Sequence, residues 1–194
     1  ILDQSLQKMN TGTLDLVQFH WWDYNDLSYM DAIEHLFSLK KKQKIKHVGL
    51  TNFDTERIKI MTEKGFTPIT NQVQYSILDQ RAEKLMVPFC QKHGIKILAY
   101  GTLLGGFFSE KYLKADEPTR ADLDTASLQK YYNMIQEWGG WDLFQELLDT
   151  LDTISKKPAP TRSSSAQSST NAASKDASPS RVLTIRLAEG MSTN

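Results

Sequence analysis

The sequence predicts an α/β fold that forms part of a (β/α)8 TIM barrel, and two observations carry this prediction. Strand-like and helix-like segments alternate over residues 1–112, as in parallel sheets covered by helices. This alternation fits either a doubly wound sheet or a piece of a barrel. The glycine-rich stretch GTLLGG (101–106) lacks the G-x-G-x-x-G spacing of a dinucleotide fingerprint and follows the fourth predicted strand, not the first. The sequence therefore favours the barrel, whose functional residues lie at the carboxyl ends of its strands.

Four helical segments and four strands account for this alternation. The predicted helices are the end of one within 1–10, then 28–41, 55–64 and 80–93, and the predicted strands are LDLVQFH (14–20), IKHVGL (45–50), ITNQVQYS (69–76) and IKILAYG (95–101). The strands are short and mostly apolar, which is typical of parallel strands buried on both faces. Asp54 is suited to cap the third helix, and Gly65 and Gly94 are suited to end the third and fourth.

The sequence changes character after residue 112. An acidic loop, ADEPTRADLDTAS (115–127), leads into the helix-like stretches YYNMIQEWGGW and DLFQELLDTLDTISKK, with Gly139–Gly140 as a break between two helices. Residues 1–157 are therefore predicted to form one partial barrel domain.

A third kind of composition follows. Eighteen of the 23 residues in 158–180 are Ser, Ala, Pro or Thr, and none is a large apolar residue. Such a segment cannot bury enough surface to offset its chain entropy, so we expect a disordered linker. Residues 181–194 form a tail that begins with the strand-like run RVLTIRLAEG.

Composition excludes several classes of function. The 194 residues carry 23 basic and 23 acidic side chains, so no global field draws the chain to nucleic acid or to an anionic membrane. No apolar run reaches the ~20 residues of a membrane span, and the first ten residues lack the pattern of a signal peptide. The single cysteine, Cys90, fits a reducing compartment, so a cytoplasmic location is expected. The four histidines lack metal-ligand spacing, and no metal site is predicted.

Polar and aromatic side chains stand at the ends of the predicted strands. From the first strand to the fourth they are His20, Thr51 and Asn52, Gln72, and Tyr100. In a barrel these positions converge at one mouth. Taken singly, each also has a simpler structural interpretation: a core histidine beside aromatic packing, amides that cap strand ends, and a core tyrosine.

Four segments, in their order and spacing, resemble the central part of the aldo-keto reductase family. They are LDLVQFHWW, IKHVGLTNF, NQVQYS and ILAYGTLLGG. GLTNF matches the family's G-[VLI]-[ST]-N-F element, NQVQYS matches its NQ-[VI]-x-[YCF] strand, and the later stretch EWGGWDLFQELLDTL resembles a subgroup of the family. The resemblance implies a TIM barrel that binds NADP(H) across its mouth and moves hydride to or from an aldehyde or ketone carbonyl.

The resemblance also implies roles for the residues at the strand ends. His20 matches the family's catalytic histidine, which helps orient the carbonyl oxygen. Thr51, Asn52 and Gln72 match the groups that hold the nicotinamide carboxamide, whose donor and acceptor suit such side chains. Tyr100 matches the aromatic residue that stacks on the nicotinamide ring, and a ring held in this way presents one face to substrate.

Two further sets of residues lie just beyond the strand ends. The resemblance places Gly101, Leu103 and Gly105 in the loop that runs along the cofactor pyrophosphate. Trp21 and Trp22 directly follow the histidine, where an aromatic pair can either pack or line a substrate pocket.

The chain departs from the family pattern at both ends of the matched region. The family's catalytic Asp, Tyr and Lys belong to strands that precede this region, and none of the seven tyrosines occupies the proton-donor motif. The Ser/Ala/Pro/Thr-rich tract stands where the last barrel strand and the segment for the cofactor 2′-phosphate are expected. The resemblance thus covers roughly half to two thirds of a barrel of ~250 residues. Such a fragment exposes two apolar edge strands, so self-association through them is expected.

Two functions of different classes remain open on the sequence. The first is an NADP(H)-dependent aldo-keto reductase, or a fragment or shortened product of one, that acts on a small carbonyl or alcohol. The second is a non-catalytic relative that binds cofactor or a partner subunit without turnover. The unmatched Asp, Tyr and Lys are the feature that separates them.

Overall fold

The computed structural model describes residues 2–157 and, as backbone, residues 182–186. In chain order the elements are α1 (Leu2–Lys8), β1 (Leu14–His20), α2 (Tyr29–Lys41), β2 (Ile45–Thr51), α3 (Thr55–Glu63), β3 (Thr70–Gln74), α4 (Arg81–Lys84), α5 (Met86–His93), β4 (Lys96–Tyr100), α6 (Ala126–Trp138), α7 (Gly140–Ser155) and β5 (Val182–Arg186). Short 3-10 turns cover Leu104–Gly106 and Glu110–Tyr112. The predicted linker, 158–180, and the rest of the tail lie outside the described residues.

The chain divides into two compact units. Of the described residues, the first unit comprises 2–75, 79–100 and 182–186, and it holds the five described strands together with α1 to α5. The second unit comprises the described residues 76–78 and 101–157, and it holds α6, α7 and the two 3-10 turns. The single domain predicted over residues 1–157 stays a prediction.

The sheet of the first unit is parallel throughout its five described strands, in the order β4-β3-β2-β1-β5. Parallel strands that alternate with helices confirm the predicted α/β class. β5 pairs with β1 and sets Gln18 opposite Thr184, so β1 lies inside the described sheet. Unpaired groups on an apolar edge strand favour such an addition. The edges of the described sheet are therefore β4 and β5.

One face of the sheet builds the core of the first unit against its helices. This core includes the apolar residues Val17, Phe19, Leu50, Ile58 and Met61, each of which is 0–1% exposed. Full burial of one such side chain contributes about 1.5–3 kcal/mol. Because successive side chains of a strand point to opposite faces, the residues between these core positions face the other side of the sheet.

The predicted helix over residues 80–93 is wrong in one respect, since it is interrupted at Leu85. Leu85 has φ −129° and ψ −44°, and it separates α4 from α5. Pro88 explains the break: it has no N–H to donate to the carbonyl of Lys84, and its ring collides with that carbonyl in a continuous helix. The predicted end of the helix is confirmed, because Gly94 adopts the left-handed conformation with φ 70°.

The carboxylate of Asp79 anchors the chain between β3 and α4. Its side chain is 2% exposed. It accepts hydrogen bonds from Arg81 Nε and Nη2, both at 2.7 Å, and from Gln74 Nε2 at 2.8 Å. The hydrogen bonds from Arg81 are the main reason that the pKa of Asp79 lies below its usual value.

The second unit has its own aromatic core. Phe107, Ile135, Trp141 and Phe144 are buried in it, and the Phe107 and Phe144 rings meet edge to face with 6.4 Å between centroids. Thr125 caps α6 by accepting from the Leu128 backbone N–H at 3.1 Å. The break predicted at Gly139–Gly140 is confirmed, because α6 ends before these glycines and α7 begins there.

Candidate functional site

The carboxyl ends of β1, β2 and β3 set three predicted site residues in one row. The register pairs His20 with Thr51 and Thr51 with Gln72. Phe19 and Leu50, the preceding residues of β1 and β2, pack into the helical side of the sheet, so this row faces the opposite side. The predicted convergence of these three residues is therefore present in the first unit.

The hydroxyl of Thr51 is a buried polar group without a hydrogen-bond partner among the described residues. Thr51 as a whole is 8% exposed. A buried polar atom left in this way costs about 1–3 kcal/mol, and native structures contain few of them. A polar ligand atom beside β2 would satisfy it.

Asn52 is held in a strained backbone conformation by its neighbours. Its φ of 61° lies in the left-handed region, which an asparagine adopts at a lower cost than most residues. Its N–H donates to the Gln72 carbonyl at 2.8 Å, and its own carbonyl accepts from Tyr24 Oη at 2.8 Å. Its side-chain Oδ1 accepts from Tyr100 Oη at 3.1 Å. Strain that the surroundings enforce in this way is typical of functional sites.

Tyr24 is a supporting residue that the sequence analysis missed. Burial, and then the negative charge of Asp54, raise the pKa of Tyr24 to about 12, while the Arg57 guanidinium opposes the shift. That guanidinium lies 4.5 Å from the ring centroid of Tyr24, and Nη2 donates to the Tyr24 carbonyl at 2.9 Å. Asp54 holds Arg57 in turn, because its carboxylate accepts from the Arg57 backbone N–H at 2.8 Å and from Nη1 of the guanidinium. The aromatic cluster HWWDY directly after β1 was the available signal.

A second residue that the sequence analysis missed is Gln18, which lies two positions before His20 on β1 and on the same face of the sheet. It is 4% exposed, and the register sets it beside Gly49, which itself pairs with Thr70. Thr70 Oγ1 donates to Gln18 Oε1 at 3.1 Å, and Gln18 Nε2 donates to Gln72 Oε1 at 2.7 Å. A Cβ at Gly49 would lie 2.7 Å from Gln18 Oε1. The glycine of the GLTNF motif therefore leaves room for the Gln18 side chain to reach β3.

The two tryptophans after β1 have different surroundings. The Trp21 ring lies 5.8 Å from that of Phe19, against the core, and its Nε1 donates to the Asp23 carbonyl at 2.7 Å. Trp22 is 56% exposed, and its ring centroid lies 4.2 Å from that of His20. Trp22 thus lies exposed beside His20, whereas Trp21 packs against the core.

The loop that follows β4 belongs to the second unit and packs on one ring. Gly101 and Gly105 have φ values of 71° and 64°. A Cβ at Gly105 would lie 2.8 Å from Tyr131 Cδ2, and one at Gly101 would meet the same ring at 3.1 Å from Cε1. Leu103 is 63% exposed. Tyr131, which the sequence analysis missed, therefore shapes the predicted pyrophosphate loop.

Among the described residues, no group of three or more His, Cys, Asp or Glu side chains could hold a metal ion. No helix in the described part is both long and apolar enough to cross a membrane.

The family is decided by a match to a model described as "Aldo/keto reductase family", which covers residues 1–168. The chain belongs to the aldo-keto reductase family. This confirms the resemblance that the four sequence motifs indicate.

Curated relatives of this aldo-keto reductase chain include proteins with different names. Flagellar radial spoke protein 5 of Chlamydomonas reinhardtii is 32% identical over 162 residues, which cover 74% of this chain and 31% of the relative. A protein named aldo-keto reductase from Babesia bovis is 29% identical, covering 71% of this chain and 64% of the relative. The chain therefore spans less than two thirds of the length of either.

Solved structures support the barrel. A glycerol dehydrogenase from Gluconobacter oxydans matches with a TM-score of 0.55 and 25% identity, covering 76% of this chain and 50% of that one. The α/β fold of this chain is thus that of part of an aldo-keto reductase barrel, as predicted.

Proposed function

We propose that this chain carries the cofactor-binding part of an NADP(H)-dependent aldo-keto reductase, which interconverts an aldehyde or ketone and the corresponding alcohol. The observation that carries the proposal is the Thr51 hydroxyl, buried without a partner among the described residues and set between His20 and Gln72. The glycerol dehydrogenase among the structural relatives is named for chemistry of this class. The cytoplasmic location expected from Cys90 belongs to the same proposal.

The residues present fit a nicotinamide carboxamide. The orphaned Thr51 hydroxyl and the amides of Asn52 and Gln72 supply both donors and acceptors, as a carboxamide needs. Tyr100, tethered to Asn52 through its hydroxyl, offers a ring whose position is fixed before any ligand arrives. When bound, the nicotinamide supplies or accepts the hydride.

The other site residues have roles around that group. His20 orients the substrate oxygen by donating a hydrogen bond from its imidazole, because a carbonyl that gains hydride develops oxyanion character. Trp22, exposed beside His20, lines the substrate pocket, whereas Trp21 packs against the core. In the second unit, the family resemblance assigns the backbone of the loop at Gly101, Leu103 and Gly105 to a cofactor pyrophosphate.

A single isosteric change tests the proposal. Thr51→Val removes the hydroxyl and keeps the shape, so the affinity for NADP+ should fall about tenfold, the equivalent of one hydrogen bond. Thr62→Val is the matched control, since the Thr62 hydroxyl bonds the Ile58 carbonyl of its own helix. Calorimetric titration of the full 194-residue chain gives both affinities. Equal affinities of the two variants, or no binding by the unaltered chain, would contradict the proposal.

A second candidate is a structural or regulatory role without turnover. A relative named for a flagellar radial spoke favours it. Under this alternative the chain joins an assembly, with or without bound cofactor, and a panel of aldehydes leaves NADPH unconsumed. NADPH consumption that His20→Ala abolishes would decide for the reductase.

A further inference from the structure

We infer that Asn71 is a positioning residue, which fixes the turn that presents Asn52 to the ligand. The inference rests on the proposed function, since the ligand group concerned is the nicotinamide carboxamide. Asn71 is 0% exposed, and the register pairs it with Leu50. It therefore lies on the helical side of the sheet, whereas Thr51 and Gln72 face the other side. Asn71 cannot touch a ligand beside that row, so its effect on binding passes through the backbone.

The amide of Asn71 has a fixed direction. Its Nδ2 donates to the Phe53 carbonyl at 2.8 Å, and a backbone carbonyl can only accept. Met86 Sδ, a weak acceptor, lies 3.6 Å from the same nitrogen. The Oδ1 atom of Asn71 is buried and has no hydrogen-bond partner among the described residues, which destabilises the folded chain. An apolar side chain would remove this oxygen, but it would leave the Phe53 carbonyl unpaired in the core. The bond to Phe53 is therefore what Asn71 supplies.

That bond is one of three that hold successive backbone groups of the turn after β2. The Asn52 N–H donates to the Gln72 carbonyl and the Asn52 carbonyl accepts from Tyr24 Oη, both at 2.8 Å. The Phe53 carbonyl accepts from Asn71. Together the three bonds restrict the torsions on both sides of the peptide between residues 52 and 53. They hold Asn52 at its φ of 61°, a conformation that a residue other than glycine keeps only where its surroundings enforce it.

Without Asn71 the turn loses part of this restraint. The buried Phe53 carbonyl is left without its donor, and the backbone at Asn52 can relax to a commoner conformation. The Asn52 side chain, whose Oδ1 accepts from Tyr100 Oη at 3.1 Å, then leaves its place at the site. A group that is ordered before the ligand arrives lowers the entropy cost of binding, and this advantage is lost.

The change Asn71→Leu tests the inference, because it removes the donor and the orphaned oxygen at a similar side-chain volume. In calorimetric titration of the full 194-residue chain, the Kd for NADP+ should rise about three- to tenfold, the span of one hydrogen bond. Amide hydrogen exchange at Asn52, whose N–H bonds the Gln72 carbonyl, should quicken in the same variant. Met86→Leu removes only the weak sulfur contact and should leave both measurements unchanged. If Asn71→Leu does not fold, Asn71→Ser, whose side chain is too short to make the bond, gives the same test.

Two further variants separate positioning from a purely structural role. Ile58→Val, fully buried on the same side of the sheet, should lower the free energy of unfolding and leave the Kd unchanged. Asn52→Gly keeps the left-handed turn without the amide, so adding Asn71→Leu to it should raise the Kd by a smaller factor than in the unaltered chain.

The outcomes distinguish this inference from the proposed function. If Asn71→Leu leaves the Kd and the exchange at Asn52 unchanged, or raises the Kd equally with and without the Asn52 amide, the inference alone is overturned. A Kd that rises as much in Ile58→Val as in Asn71→Leu would assign Asn71 a structural role and also overturn it. If the unaltered chain does not bind NADP+, the proposed function fails first and this inference fails with it.

Discussion

Adding one methyl group at Gly49 tests how β2 accommodates the side chains that cross it. The nearest atoms to a Cβ built on Gly49 are Thr70 Oγ1, then Gln18 Oε1 at 2.7 Å and Leu16 Cδ1 at 3.2 Å. The backbone of Gly49 lies outside the left-handed region, so Gly49→Ala introduces no φ strain. The whole effect comes from contact with these neighbours.

The magnitude follows from the contacts that must give way. Gln18 cannot keep its hydrogen bonds to both Thr70 and Gln72, each of which contributes about 1 kcal/mol net. Overpacking a tight site costs a further ~1–3 kcal/mol. Replacing Gly by Ala recovers about 0.4–1 kcal/mol through the unfolded state. The free energy of unfolding should therefore fall by about 1–4 kcal/mol.

Urea unfolding of the full chain measures this change against a matched control. Gly12 also lacks a left-handed φ, and a Cβ there would meet nothing within 4 Å. Gly12→Ala should thus leave the stability unchanged or raise it slightly. A double variant with Thr70→Ala, which removes the nearest clashing atom, should lose less than the sum of the two single changes. If Gly49→Ala and Gly12→Ala changed the free energy of unfolding equally, the close contacts of Thr70, Gln18 and Leu16 with a Cβ at Gly49 would be refuted.

Two further predictions concern a buried carboxylate and a loop glycine. Because the pKa of Asp79 is lowered in the folded chain, its stabilising effect is complete above the unfolded value of about 3.9 and is lost as the pH falls through the folded value. Urea unfolding gives the difference in free energy of unfolding between the unaltered chain and Asp79→Asn. This difference should be constant near neutral pH and should become smaller below about pH 4. A difference that stays constant at low pH would contradict the lowered pKa of Asp79. Gly105→Ala should destabilise more than Gly94→Ala in thermal unfolding: both φ values are near 65–70°, but only Gly105 faces the Tyr131 ring. Equal losses would exclude the ring contact.

Local signals were sufficient to predict most elements of the fold. The strands are short apolar runs. The helix over 55–63 is preceded by its N-cap, Asp54, whose carboxylate accepts a hydrogen bond from the backbone N–H of Arg57 three positions along the chain. Such interactions span one helical turn and are readable from the sequence. The break at Leu85 was readable too, because Pro88 stands inside the predicted helix, and the misprediction lay in giving the helical pattern more weight than the proline.

The contacts that hold the site residues in place could not be predicted from local signals. Gln18 and Gln72 are 54 residues apart, and Tyr24 and Asn52 are 28 apart. These contacts depend on strand register, which a single sequence does not specify, and on which side chain finds space over Gly49. The pairing of β5 with β1 is likewise long-range. The sequence therefore indicated which residues end the strands but not which neighbours hold them in place.

The five residues from Gly49 to Phe53 show why a short motif can still be specific. Gly49 leaves room for a crossing side chain, and Leu50 is buried in the helical core. Thr51 presents an orphaned hydroxyl, Asn52 adopts the left-handed conformation that turns the chain, and Phe53 returns to the core at 1% exposure. Each position answers a different physical requirement, so few other residues are tolerated at any of them. A match to such a motif carries more information than its length suggests, because it reports space, burial, polarity and backbone conformation at once.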